Sequence, residues 1–177
     1  MTEQDTSWHA FPGLRVDCFG IALQLYRLLC VFFSSRELAQ LRDDSASCPV
    51  SQIVDSFQED EVMRILLNVA IHLRILDDQY TETMRHEYGS FDAKTGTLIS
   101  RPNTDEKTLS LREACNKIVH AKLLNFDKEP LPGPGRIEFL HPRLFLYDRR
   151  DKRGWRASVD ILEFVQAGHA LCTAMMM

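Results

Sequence analysis

The chain has no C-x-x-C pair, no glycine-rich phosphate loop, no G-x-S-x-G and no excess of positive charge. Each absence removes a class of function. Cys18, Cys30, Cys48, Cys115 and Cys172 are odd in number and lack ligand spacing, so neither a disulfide framework nor a zinc site is expected. Free thiols of this kind suit a reducing, cytoplasmic setting. Without a phosphate loop or a nucleophile elbow, a P-loop hydrolase and an α/β-hydrolase are both disfavoured. A net charge of −4 over 177 residues does not describe a nonspecific nucleic-acid binder taken as a whole. Met1 to Ser7 is polar and acidic, unlike a secretory leader. No repeat of solenoid length occurs, and no cofactor or metal is expected.

What is present is a domain-sized chain, 45% hydrophobic and 26% charged, long enough to bury a core. The apolar run Leu14 to Phe33 could span a bilayer by length. It contains Arg15, Asp17, Gln24 and Arg27, so it reads as a core helix and no membrane partner is expected. Ser34 with Glu37 suggests a second short helix to about Leu41, and Ser56 with Glu59 a helix through about Asp78. That third segment is apolar nearly all round, which predicts a buried central helix. Phe91 to Leu98 reads as a small hairpin turning at Gly96. Ser110 with Glu113 caps a helix from about Leu111. After a Pro/Gly-rich link at Pro130 to Gly135, Arg136–Leu140, Arg143–Asp148 and Trp155–Val159 have strand character, and Asp160 with Glu163 caps a last helix. The expected fold is therefore α+β and mostly α, in a single domain over 1–177. About five helices form a bundle (14–122 and 160–175), with a small antiparallel hairpin sheet beside it (136–159).

The helix from Leu111 to His120 carries Arg112, Asn116 and His120 at four-residue spacing, nearly in line on one face. A cation, an amide and a base in a row suit a phosphodiester. Arg64, Asn68 and His72 repeat the same Arg-x3-Asn-x3-His pattern on the central helix. Either the two stripes share one cleft, or the repeat is accidental and Glu61, Arg64 and Asn68 form a local polar seam. Arg149, Arg150, Lys152, Arg153 and Arg156 form the one concentrated basic patch. Tyr147 and Trp155 flank it, as stacking on single-stranded RNA would want. The alternative is a solvated turn with Trp155 packed inward. Asp77 and Asp78, with Glu82 and His86 beyond, have the chemistry of a divalent-cation site, although adjacent carboxylates at a helix end are more often solvated.

Asn116, His120 and the helices around them resemble the signature of the HEPN superfamily, over about Leu14 to Lys122. Those proteins are compact helical bundles, often dimeric. Many are metal-independent endoribonucleases of toxin–antitoxin and antiviral systems, and others are non-catalytic. The family places an Arg directly before the Asn, where this chain has Cys115. Arg112 lies a turn earlier, about 60° away round the helix.

The resemblance implies that His120 takes the ribose 2′-hydroxyl proton, that Arg112 neutralises the phosphoryl charge and that Asn116 orients it. His72, or His120 of a dimer mate, would protonate the leaving oxygen. It implies an RNA-associated protein, possessing either ribonuclease activity or a non-catalytic role in binding a protein partner or nucleotide. A cognate protein partner and a homodimer are expected on the same ground. The apolar C-terminus Ala170 to Met177 should dock somewhere, either on the chain's own bundle or on a second copy, and a homodimer is favoured.

Overall fold

The structure is a computed structural model. It describes residues 16–43, 47–88, 93–100, 105–133, 137–148 and 154–176, with the side chains of 81–88 excepted. Among these residues the chain forms four helices and five strands. They are α1 (Cys18–Gln40), α2 (Pro49–Tyr88), β1 (Lys94–Ile99), β2 (Lys107–Ser110), α3 (Leu111–His120), β3 (Leu123–Pro130), β4 (Glu138–Tyr147), β5 (Arg156–Asp160) and α4 (Ile161–Met176). The class is α+β and mostly helical, as the sequence indicates. The sheet is larger than a C-terminal hairpin, and the helices are fewer than five.

Local chemistry explains the helix starts. The Asp17 carboxylate accepts from the Gly20 amide at 2.9 Å and opens α1. α1 then runs unbroken through Ser34, where the sequence suggested a new helix. Ser35 is buried, and its hydroxyl accepts the Leu140 amide at 2.8 Å, tying α1 to β4. α2 opens at Pro49 rather than Ser56, because proline has no N–H to leave unpaired in a first turn and its φ is already helical. The capping boxes at Ser110 and Asp160 behave as expected. Each side chain accepts the amide three residues on, at 3.3 and 2.9 Å.

The sheet is antiparallel throughout, in the order β2-β1-β5-β4-β3. β1 and β2 lie before α3 in sequence, inside the span assigned to the helical bundle, and they join the main sheet rather than form a separate hairpin. Gly96 is not a turn residue. It sits within β1 at a bulge, with φ 150°, and a Cβ there would collide with the Ser158 carbonyl of β5. The two segments expected as separate strands before and after Pro142 are one strand, β4.

One buried cluster joins all the layers. Ile21, Leu25, Leu28 and Phe32 of α1 meet α2, α4 and β4, while Leu144, Leu146, Ala157 and Val159 close it from the sheet. Gly168 lets α4 approach α2 and α1, since a Cβ there would lie 2.8 Å from Leu73 and 3.3 Å from Leu25. α1 is long and apolar enough to cross a membrane by length and composition. Only its inner face is core, and Phe19, Tyr26 and Phe33 are exposed. The same correction applies to α2. Leu66, Val69 and Leu73 are buried as expected, but Met63, Leu67 and Ile71 are exposed.

Candidate functional site

Arg112, Asn116 and His120 do share α3, and the Ser110 cap fixes where that helix begins. Their partners come from α2. The Arg112 guanidinium forks onto two carboxylates, Asp77 and, at 2.7 Å, Asp78. Arg74 pairs with Asp78 one turn along α2, and its Nε donates to Asn116 Oδ1 at 3.1 Å. Charges thus alternate through Arg74, Asp78, Arg112 and Asp77, and Asn116 closes the row. Hydrogen bonding from Arg74, then from Arg112, holds the Asp78 carboxyl below its usual range. Asp77 is buried beneath the pair.

This arrangement occupies the cation that a phosphodiester would need. Two carboxylates within contact of Arg112 repel an incoming phosphate and satisfy the fork geometry that would bind it. Cys115 faces the core between them, and burial pushes its thiol up to about 12, so it is no nucleophile. His120 is exposed at the end of α3 and makes no hydrogen bond or ion pair among the described residues. The carboxylate pair Asp77 and Asp78 does bind a cation, but that cation is a guanidinium. The described residues hold no group of three or more metal-ligating side chains.

The second stripe stands elsewhere. Arg64 takes both oxygens of Glu61, at 2.9 and 2.7 Å, on the exposed side of α2. His72 Nδ1 donates to the Asn68 carbonyl at 2.7 Å, one turn back. Asn68 and His72 line a cleft with Gly20 and Gln24 of α1 and with Asp17, its cap. Round α2, His72 lies about 160° from Arg74, the residue that reaches α3. The two Arg-Asn-His copies therefore do not share a cleft, and His72 is not placed as the acid–base partner of His120. Asn68 is exposed, so its amide bears no burial cost although α2 as a whole was expected to be buried.

Of the basic patch, Arg149, Arg150, Lys152 and Arg153 lie outside the described residues. Arg156 begins β5, directly opposite Tyr147 on β4. Trp155 is half-buried, and the Lys117 ammonium lies 4.5 Å from its ring centre.

The alternation of β4 and β5 then exposes a surface that motif reading missed. Leu144, Leu146, Ala157 and Val159 point to the helices, which turns Arg143, Phe145, Tyr147, Arg156 and Ser158 to the other face. A 170 Å³ cavity opens there, lined by Thr97, Ile99, Glu106, Phe145, Tyr147 and Arg156 among others. The signal was available in the period-two pattern from Arg143 to Tyr147. No family model, curated protein or solved structure matches the chain.

Proposed function

We propose that the chain is an RNA-associated binding protein whose surface is the open face of the sheet, and that the Arg112–Asn116–His120 helix serves structure rather than cleavage. One observation carries this reading. β4 and β5 present Phe145 and Tyr147 beside Arg156, away from the helices, with Arg143 opposite Asp160 at the far end of the pair. Aromatic faces with adjacent guanidinium groups suit unpaired bases, which stack on the rings while the phosphates meet the cations. In the sequence, Arg149, Arg150, Lys152 and Arg153 fall between Tyr147 and Arg156. Local positive charge of this kind is compatible with the overall charge of −4. The engaged state of Arg112 supports the non-catalytic half of the reading.

Fluorescence anisotropy with a labelled single-stranded RNA tests it. Binding should weaken with salt, because phosphate contacts release counterions. Tyr147→Ala should weaken binding by roughly 5- to 100-fold, the worth of one stacked base. Arg156→Ala should lower the salt slope by about one. No binding at low salt would sink the proposal. Cleavage of the RNA that disappears in His120→Ala would favour the ribonuclease reading instead.

A further inference from the structure

The outer face of α2 carries Ile53, Phe57, Asp60, Arg64, Leu67 and Ile71 at alternating four- and three-residue intervals, all exposed. That spacing makes a narrow coiled-coil seam rather than a core-facing stripe. The seam is also palindromic about Val62. Ile53 and Ile71 are equally far from it, as are Phe57 and Leu67, and Asp60 and Arg64. In an antiparallel pairing of α2 with a second α2 crossing at that point, isoleucine meets isoleucine, phenylalanine meets leucine, and each aspartate meets an arginine. All contacts occur twice, as a two-fold interface requires.

α1 fits the same axis. Its exposed stripe is Phe19, Leu23, Tyr26, Cys30 and Phe33, again at four- and three-residue steps and centred on Tyr26. Arg42, just beyond α1, bonds Asp55 at 2.7 Å and Asp17 shares a cleft with His72, so the helices run antiparallel and the middle of the α1 stripe stands within about a turn of the middle of the α2 seam. The apolar side chains exposed on the two helices present on the order of 1,000 Å², against roughly 800 Å² per partner in a standard interface. A monomer seldom leaves so much uncovered.

We infer that the outer face of α1 and α2 is the interface for a second copy of this chain, paired antiparallel about a two-fold axis at Val62. This surface is separate from both the α2–α3 seam and the open sheet face, so the inference stands whether or not the sheet binds RNA. It also differs from the C-terminal docking expected from the sequence. Leu171 and Cys172 are buried in the chain's own core, the first of the two places expected for that segment.

Analytical ultracentrifugation of the full chain should give twice the 20.4 kDa chain mass at micromolar concentration. Asp60→Arg alone sets arginine against arginine, and Arg64→Asp alone sets aspartate against aspartate, so each should yield a monomer with unchanged helical circular dichroism. The double exchange restores opposite charges across the axis and should restore the dimer. Benzoylphenylalanine in place of Ile53 should crosslink to the peptide of the second copy that contains Ile71. A monomeric wild-type chain, a double exchange that stays monomeric, or a crosslink to another peptide would overturn the proposal. So would a monomer that sediments with phosphatidylcholine vesicles, which would make the face a membrane surface.

Discussion

Arg74 of α2 and Arg112 of α3 share one carboxylate, that of Asp78. Neither arginine is then a free cation. The pair joins two helices that carry much of the core, and Asp77 beneath it is buried. Removing different members should therefore have unequal effects. Arg112→Met takes the guanidinium off a buried carboxylate and should cost about 1–3 kcal/mol of stability. Asp78→Asn acts on a half-exposed group and should cost less than about 1 kcal/mol. Urea denaturation of both variants checks the order, and equal losses would show that Asp77 does not depend on Arg112.

The same pair predicts an acid limb. The Asp78 pKa is lower in the folded chain than in the unfolded chain, where it is near ~3.9. Its stabilising contribution is therefore complete above the unfolded value and is lost as pH falls through the folded value. Thermal midpoints measured from pH 6 downwards should drop below about pH 4, and Asp78→Asn should reduce that drop. An identical acid limb in the variant would assign it to other carboxylates.

Cysteine reactivity should divide sharply. Cys30 is exposed, whereas Cys115 and Cys172 are buried and burial pushes both thiols up to about 12. At mildly alkaline pH, iodoacetamide should label Cys30 in the monomeric Asp60→Arg chain, where the α1 stripe is uncovered, and spare the other two until denaturant is added. Mass spectrometry of a time course reads this directly. Early labelling of Cys115 would mean that α3 lifts off α2 far more readily than the packing suggests.

Gly168 offers a packing test. A side chain there must push against Leu73 and Leu25. Gly168→Val should lower stability by roughly 1–3 kcal/mol through overpacking. Calorimetry that found a stabilised variant would show that α4 has room to shift.

Much of this was legible where the chemistry is local. The Ser110 and Asp160 caps could be read directly, because a cap needs only its own residue and an amide three positions on. The same signature misled at Ser34 and Ser56. Tertiary packing carries α1 through Ser34, and Pro49 starts α2 a full seven residues before Ser56. The sheet was less legible, since β1 pairs with β5 and strand order is set by contacts far apart in sequence.

For the site, the row on α3 could be seen but its charge state could not. Arg112 finds Asp77 and Asp78 across 35 and 34 residues, and nothing local announces that meeting. The exposed faces of α1 and α2 were hidden for a different reason. A run that is apolar all round looks like core until one side of it, among the described residues, proves exposed.

The bond from the Leu140 amide to the Ser35 hydroxyl has a practical use. That amide's proton is held by a side chain of α1. Its exchange with solvent deuterium therefore times the lifting of α1 from β4. A single resolved amide resonance would clock the seating of one helix on the sheet, without any label and in the unaltered chain.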